Sequence, residues 1–465
     1  MRGDSSYLRR VNSVAVLRAL HAGSSFTISA LAKAAGVSRP TCEEAINELL
    51  AQGWAAEAHI DQTGPRRPGR PARRVRFRAE AAYVAGLDIG AHKVLTLLTD
   101  LSGTVVASCR ATVQPDFSAE ERLAVARKTV TGALAAAPGE SHPSLLAVVV
   151  GTPGVVDAEG KAFAPTVMPE WNGLPLGDRA RRFFGTLARD GTRTWTGVEN
   201  DMNLAALAEH WWGAARGVDD VVYLHAGYRM GAAVLIGGRP HRGRHGAAGE
   251  IGTLSVLNWV DAYRQLLSYD PPNGGTAEQV ERIFAAASGK DRRASALVEN
   301  FARGMADGLA AMVLSVDPEL VVLGGGISQA GAALLDPVRG HLEPQCPFPR
   351  GWSPRRWATR PSHSARYACA WTTWRRNCST PIPTWQTRLV GKLTSPRSEA
   401  AVQARGRGTP ARRPVPLPDW TGRRHPGARS YRTRQDAPRF EGAACAPSVL
   451  DTNRVSGASG TRRQR

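Results

Sequence analysis

Between residues 81 and 345, short apolar runs alternate with longer Ala- and Leu-rich stretches. The apolar runs are rich in Val, Leu and Ile, as buried β-strands are, and the intervening stretches have the composition of helices. Strands that alternate with helices build an α/β domain, in which helices cover the faces of a sheet. We therefore expect an α/β fold here, with strands at YVAGLDIG, KVLTLLTDLSG, LLAVVVGTPGVVD, DVVYLHAG, AAVLIGG and ELVVLGGG.

Composition divides the chain into four parts. Residues 1–63 are Ala/Leu-rich with helical periodicity, and residues 64–80 form a basic segment whose first fifteen residues hold seven arginines and no acid. Residues 81–345 are the α/β domain. Residues 346–465 form a basic, irregular tail that keeps no period of 2 or 3.6 residues for long. We predict no regular domain in this tail.

The net charge of +20 is unevenly distributed along the 465 residues. Residues 346–465 contain 24 Lys and Arg against 5 Asp and Glu, whereas residues 1–345 contain 36 against 35. The basic character thus belongs to the tail. The high isoelectric point is therefore no argument for nucleic-acid binding by the rest of the chain.

The tail has an unusual composition for a disordered segment. It holds six of the twelve tryptophans and four of the six cysteines, whereas disordered segments are poor in such residues. When the codons that could encode residues 371–387 are shifted by one base, they can read approximately Leu-Asp-Asp-Leu-Ala-Ala-Glu-Leu-Phe-Asp-Pro, an acidic amphipathic helix. Two interpretations are open, a natural disordered tail and a gene read out of frame, and we favour the second.

Several classes of protein are not expected. No segment approaches the roughly 18 uninterrupted apolar residues of a membrane helix. No apolar segment follows the N-terminus, so we expect neither a membrane partner nor a secretory signal. The six cysteines form no CxxC pair, which speaks against a clustered zinc site. These features are typical of a protein of the cytoplasm.

The N-terminal part has the pattern of a helix-turn-helix. Val11–His21 and Thr27–Ala34 predict two short helices, and a glycine-containing turn leads to a third helix that Ser38 can cap. The start of a third helix in this position enters the major groove of DNA. The side chains expected to contact DNA there are Ser38, Arg39, Thr41 and Asn47.

A basic wing is expected beside these helices. Residues 54–60 and 74–77 can form its two strands, and the loop between them carries Arg66, Arg67 and Arg70, which can follow phosphates or a minor groove. The alternative is any small helical bundle followed by a solvated linker. Three acids on the third helix would repel phosphate unless they lie away from the DNA backbone: Glu43, Glu44 and Glu48.

Six motifs follow one another in the α/β domain. The first, LDIGAHKVLTLLTDLSG, ends a strand with an acid followed by glycine, a pattern that can hold Mg²⁺ and admit phosphate. The others are GTPGVVD, PEWNGLPL, GVENDMNLAALAEHWWG, RGRHGAAGEIGTL and VVLGGGIS. In this order and spacing, over roughly residues 81–340, the set resembles the ROK (repressor, ORF, kinase) family. The N-terminal helix-turn-helix resembles the repressor branch of that family.

The resemblance implies two ribonuclease-H-like lobes with a sugar cleft between them, usually in a dimer or tetramer. Asp201 matches the catalytic base of family kinases, here vestigial, while Asn200 and Glu250 match sugar-binding residues and Asn172 is a further candidate. Carboxylates and amides of this kind recognise sugar hydroxyls. An alternative interpretation is that Asp201 only caps the helix that follows it. The expected remnants of the phosphate loops are Asp88, Gly90, Gly227, Gly231, Gly324 and Gly325.

Departures from the family pattern speak against kinase activity. Tyr228 and Arg229 stand where family kinases have a small hydroxyl residue and a glycine, and a loop that wraps phosphate with backbone amides accepts such side chains poorly. Thr253 replaces a histidine that helps to hold zinc in family kinases. The next 22 residues contain no cysteine. We therefore expect no zinc, ATP or Mg²⁺ as a cofactor and no metal site.

Three functions are compatible with these features. The favoured one is a repressor of carbohydrate genes that binds double-stranded operator DNA, responds to a sugar or sugar phosphate, and forms a homodimer or homotetramer. The effector would act by favouring one of two arrangements of the lobes. The second is an active, glucokinase-like sugar kinase. The third is a basic nucleic-acid scaffold that uses the tail.

Overall fold

A computed structural model of the chain describes an N-terminal head, which comprises residues 5–77, followed by two α/β lobes. None of the helices in the described part is both long and apolar enough to cross a membrane. The described residues are 5–58, 73–138, 144–164, 168–188, 192–227, 230–270, 276–346, 356–359 and 444–447.

The head consists of three helices and a three-stranded antiparallel sheet of order β1-β3-β2. Thr27 caps the second helix by accepting a hydrogen bond from the Ala30 N–H at 3.3 Å, and Gly36 ends that helix at a φ of 68°. Ser38 caps the third helix, as predicted. The bounds are α1 Ser5–Ala22, β1 Phe26–Thr27, α2 Ile28–Ala35, α3 Arg39–Ala51, β2 Ala55–Glu57 and β3 Arg74–Phe77.

The first lobe is built on a sheet of order β10-β7-β4-β5-β6-β16. Strands β4, β5 and β6 form an antiparallel meander, and β7 and β10 then add in parallel on the other side of β4. The bounds are β4 Ala82–Ile89, β5 Lys93–Asp100, β6 Val105–Thr112, α4 Ala119–Ala136, β7 Ser144–Thr152, β8 Val155–Val156, β9 Ala162–Phe163, α5 Leu176–Phe184, β10 Trp195–Asn200 and β16 Ala444–Pro447.

The second lobe repeats this topology. Its sheet has the order β13-β12-β11-β14-β15, with an antiparallel meander followed by two parallel additions. Two ribonuclease-H-like sheets therefore confirm the expected α/β fold. The bounds are α6 Asp201–Trp212, β11 Val221–His225, β12 Gly231–Ile236, β13 Arg239–Pro240, α7 Trp259–Leu267, α8 Thr276–Ser288, α9 Arg292–Val316, β14 Leu320–Gly324, α10 Ala332–Leu342 and β15 Arg356–Thr359.

Helix α6 connects the lobes and packs between their sheets, against β7 and β10 on one side and β11, β12 and β13 on the other. All residues from Met202 to Glu209 are buried. One continuous apolar cluster joins this helix to the core of the head and to one face of each sheet. The head is thus packed into the molecule instead of being held only by a linker.

Two short strands of the tail were not predicted. Strands β15 and β16 lie at the edges of the two sheets, where each pairs with one neighbour. The remainder of the tail from residue 347 onward lies outside the described residues, and so do residues 371–387, which suggested a gene read out of frame.

Candidate sugar site and DNA-contacting surface

A polar cluster lies where β10 ends and α6 begins. Strands β7 and β10 are parallel and in register from Trp195 to Asn200, so that Asn200 lies opposite Thr152 at the carboxyl ends of both strands. Ligands of parallel sheets bind at this edge. The sequence folds this way locally because β10 ends at an asparagine, a residue type that starts helices well.

Asn200, and not Asp201, caps α6. The Asn200 Oδ1 atom accepts a hydrogen bond from the Asn203 N–H at 2.9 Å, which satisfies one of the free donors at the helix start. The alternative interpretation of Asp201 as a cap is therefore wrong. Asp201 instead occupies the first turn of the helix and is half-buried.

The structure brings three predicted residues together. The Asn200 Nδ2 atom donates to Glu250 Oε1 at 3.1 Å and to the Gly154 carbonyl at 2.8 Å. Burial of Glu250, with a further contribution from the negative charge of Asp201, raises the pKa of the Glu250 carboxyl to about 7. The carboxyl groups of Asp201 and Glu250 and the amide of Asn200 thus lie in one small region. Together they can accept hydrogen bonds from hydroxyl groups and donate hydrogen bonds to them.

An ion pair between a buried acid and a partly exposed arginine, which sequence reasoning missed, holds this cluster. Glu199 is 3% exposed, and its carboxylate accepts hydrogen bonds from Arg242 Nε at 2.8 Å and Asn203 Nδ2 at 3.0 Å. Arg242 begins the loop that ends at Glu250, so the pair ties that loop to the start of α6. The acid in the motif VEND was a visible signal, because a buried acid needs a partner. Nothing in the sequence distinguished Arg242 from other loop arginines.

Asn172 follows Trp171, which anchors this segment near the carboxyl end of β7. The Trp171 indole is fully buried and donates to Thr152 Oγ1 at 2.6 Å, at the end of β7. Asn172 itself is exposed. Within the described residues its side chain makes no hydrogen bond, and its sugar-binding role stays a prediction.

A second missed residue, Arg122, fixes the loop after β4. This arginine is 0% exposed and donates to the carbonyls of Gly90 at 2.9 Å and Ala91 at 3.1 Å. It also donates to Glu170 Oε1 at 3.0 Å, in the turn that precedes Asn172. Arg122 therefore links the expected phosphate loop to the expected sugar loop.

Asp88 is buried at the end of β4, as the motif predicts. The Lys93 Nζ atom lies 3.6 Å from Asp88 Oδ2. An ammonium group at this distance offsets part of the negative charge that a divalent cation would otherwise balance.

The glycines of the last motif have a packing role. A Cβ atom on Gly325, whose φ is +94°, would lie 2.1 Å from the Ala226 carbonyl oxygen, and one on Gly324 would lie 2.2 Å from Tyr223 Oη. Glycine is therefore required for the close approach of β14 to β11. Gly231 begins β12, and Gly227 precedes residues 228 and 229, which lie outside the described residues. Phosphate contacts of these glycines stay a prediction.

The residues after Glu250 do not fit the zinc that the family pattern implies. The Thr253 hydroxyl donates to the Glu250 carbonyl at 2.7 Å and ends a short turn. No His or Cys follows until Cys346, apart from His341, so the thiolate and imidazole donors that zinc prefers are missing from this loop.

The head exposes the start of α3. Arg39 and Asn47 are exposed, and Arg39 Nε donates to Glu43 Oε1 at 3.1 Å, which offsets the charge of one of the acids expected to repel DNA. Ser38 Oγ accepts from the Thr41 N–H at 3.3 Å and lies 2.8 Å from Thr41 Oγ1, so both hydroxyls already take part in the helix cap. The predicted wing arginines Arg66, Arg67 and Arg70 lie outside the described residues.

The duplicated sheets and the polar cluster between them define a two-lobed protein of the sugar-kinase-like class. The sequence profile of the ROK family matches residues 84–275 and 263–347, which is more than half of the chain. The chain belongs to the ROK family.

Similar proteins include both regulators and kinases. A putative xylose repressor from Caldicellulosiruptor sp. is 22% identical over 365 residues, covering 72% of this chain and 88% of the relative. A glucokinase from Thermotoga maritima is 27% identical over 284 residues, covering 55% of this chain and 85% of the kinase. Among solved structures, a ROK family transcriptional regulator described as a homolog of the E. coli MLC protein matches 79% of this chain and 96% of its own, with a TM-score of 0.60 and 18% identity. That likeness concerns the fold alone.

Proposed function

We propose that this protein is a DNA-binding repressor of carbohydrate genes whose affinity for its operator is controlled by a sugar or sugar phosphate. The observation that carries the proposal is the presence, in one packed chain, of a three-helix head and a hydroxyl-binding cluster. The match to the xylose repressor supports it, because an alignment over 72% of this chain extends beyond the kinase-like lobes.

The arrangement of the head supports the proposal of a winged helix-turn-helix. Helices α2 and α3 are joined by a tight turn at Gly36, and β2 and β3 form the base of a wing whose loop is rich in arginine. A recognition helix inserts its N-terminal residues into the major groove. Arg39 and Asn47 are exposed on α3 and are of the types that read guanine and adenine edges. The wing arginines would add contacts to phosphates.

The cluster at α6 suits a polyhydroxylated ligand. Asn200, Asp201 and Glu250 supply acceptors and donors at short range, and burial strengthens hydrogen bonds to them. A ligand that lacks hydroxyl groups would leave these buried groups unpaired, which disfavours its binding. The site therefore selects sugars over apolar molecules of the same size.

Kinase activity is not part of the proposal. Lys93 lies beside Asp88, the loop after Glu250 lacks zinc donors, and Tyr228 and Arg229 stand in the phosphate motif. Asp201 occupies the position of the catalytic base of family kinases, and in this protein its proposed role is to bind the sugar. A coupled assay of ATP consumption with a panel of sugars is expected to show no turnover above background.

We further propose that the repressor acts in the cytoplasm as a homodimer or homotetramer. A two-fold-symmetric protein binds a two-fold-symmetric operator, in which the two heads contact half-sites one helical turn or a multiple of it apart. The effector would favour one of two arrangements of the lobes and thereby change the spacing of the heads.

Fluorescence-anisotropy titration of the protein with DNA from upstream of its own gene tests the proposal. At fixed salt, we expect specific binding that D-xylose, D-glucose or a phosphate ester of either changes several-fold. Scrambled DNA of equal length is the control. Binding that is equal for both DNAs, or that no sugar changes, would contradict the proposal.

A further inference from the structure

Helix α6 runs from the candidate sugar site to the head. Its first turn holds Asp201 beside the Asn200 cap, and its last two residues are Trp211 and Trp212. The helix has 12 residues, which corresponds to a length of about 18 Å. Because its middle is buried between the two sheets, a displacement of one end is passed to the other.

The C-terminal end of α6 lines a cavity between the head and the lobes. The cavity has a volume of about 570 Å³ and is lined on the head side by His21 and Phe77. On the other side it is lined by Trp211 and Trp212 at the end of α6 and by Arg216 in the turn that follows. We call this region the joint.

The turn between β5 and β6 connects the two sides of the joint. His21 Nε2 lies 3.0 Å from the Leu101 carbonyl oxygen, and the Leu101 N–H donates to the Ala79 carbonyl at 3.0 Å. The next glycine, Gly103, packs against the Trp212 ring, since a Cβ atom placed on it would lie 3.2 Å from that ring. A shift of Trp212 therefore reaches the head through this turn.

The joint is continuous with the core around α6 but is not closely packed. The core of the head is continuous with α6, so that a movement of the helix is not absorbed by a linker. At the same time the cavity leaves Trp212 39% exposed. Protein interiors are otherwise close-packed, and an underpacked contact is a place where side chains can exchange positions at little cost in packing.

We propose that α6 is the element through which the sugar controls the head, and that Trp212 is the positioning residue that transmits its movement at the joint. A ligand held by Asp201 and Glu250 biases the position of the start of α6, and Trp212 at its end sets the orientation of α1 and β3 through His21 and Phe77. This inference rests on the proposed function, because it requires both DNA binding and sugar binding.

The test compares four proteins: the wild type, Trp212→Ala, Trp212→Phe and Val256→Ala. Val256 is the matched control, since it is an apolar residue 84% exposed on a loop of the second lobe that does not line the joint. For each protein, anisotropy gives the Kd for promoter DNA with and without saturating D-xylose or D-glucose. Calorimetry gives the Kd for the sugar, and a melting curve reports folding.

Coupling between two sites is commonly about 5- to 150-fold in affinity. For Trp212→Ala we expect Kd values for free DNA and for sugar within about threefold of the wild type, but a ratio of DNA affinities with and without sugar that approaches one. Trp212→Phe should keep part of the ratio, and Val256→Ala all of it.

The outcomes separate the two proposals. If the wild type binds no promoter DNA or no sugar, the proposed function fails and the inference fails with it. If the wild type is coupled and Trp212→Ala remains folded with an unchanged ratio, only the inference is overturned. Should Trp212→Ala unfold, Trp212→Phe decides, because a full wild-type ratio in that variant would show that the indole at the joint transmits nothing.

Discussion

The raised pKa of Glu250 makes the stability of the protein depend on pH in a defined window. Burial and the charge of Asp201 raise that pKa from its ordinary 4.5 to about 7. Between these two values the folded protein holds a proton that the unfolded chain has released. Stability therefore falls as the pH rises from below 4.5 through 7 and remains reduced above it. From pH 5 to pH 8, ionising Glu250 should cost about 2 to 3 kcal/mol.

The substitution Glu250→Gln isolates this contribution. Glutamine keeps an Oε1 acceptor for the Asn200 amide but carries no charge at any pH. We expect the variant to unfold at urea concentrations close to those of the wild type at pH 5. At pH 8 it should be more stable than the wild type by about 3 kcal/mol. Urea unfolding of both proteins at the two pH values measures the difference.

The matched control is Glu281→Gln. Glu281 is exposed on α8, and an exposed carboxylate stays hydrated when it ionises. Its substitution should change stability by the same small amount at pH 5 and pH 8. If Glu250→Gln behaves like this control, the carboxyl is not buried beside Asp201 and the description of the cluster is wrong.

Three side chains and the tail provide further tests. Asp201→Asn should weaken sugar binding by about 10- to 100-fold in calorimetry, because a charged hydrogen-bond partner is lost, while the melting temperature stays unchanged. Arg39→Ala should cost about 1–3 kcal/mol of promoter affinity, and Arg303→Ala, an exposed arginine of α9, should cost none. Arg122→Met should lower the free energy of unfolding by about 3–5 kcal/mol, since it leaves Glu170 and three backbone carbonyls without their partner. Resequencing the gene should find a one-base difference that restores an acidic helix in place of residues 371–387, and an unchanged sequence would refute the out-of-frame interpretation.

The fold was largely predictable because its signals are local. Apolar runs such as those of β4 and β14 are buried along their whole length and are recognisable without their partners. The second and third helices of the head begin directly after the caps Thr27 and Ser38, and such caps act over three or four residues. Strands β15 and β16 were missed because each is four residues long in a segment without alternation.

The cluster was predictable only in part, since its members are far apart in the chain. Asn200 and Glu250 were found from motifs, but their contact joins residues 50 positions apart. Arg242 and Arg122 gave no signal because an arginine that pairs with a distant acid has the same letter as any other arginine. Only the tertiary structure decides that Arg242 pairs with Glu199 and Arg122 with Glu170. The residue that caps α6 is Asn200, one position before Asp201, which the alternative interpretation had named as the cap. Helix starts are commonly uncertain by one residue.

The topology itself accounts for the place of the joint. The candidate site lies at the carboxyl ends of β4, β7 and β10. The chain therefore enters β4 at the opposite end of these strands, away from the site. Strand β5 is antiparallel to β4 and runs away from the site. The turn from Leu101 to Gly103, which follows β5, therefore also lies at the end away from the site. Helix α6 starts at the site and runs to the end away from it. Strand β11, which pairs in parallel with β14, begins after this helix. A head fused ahead of β4 thus meets the end of α6 as a direct consequence of the ribonuclease-H-like connection order. A chain with this fold needs no additional element to bring the proposed DNA-binding head within reach of a helix that starts at the candidate sugar site.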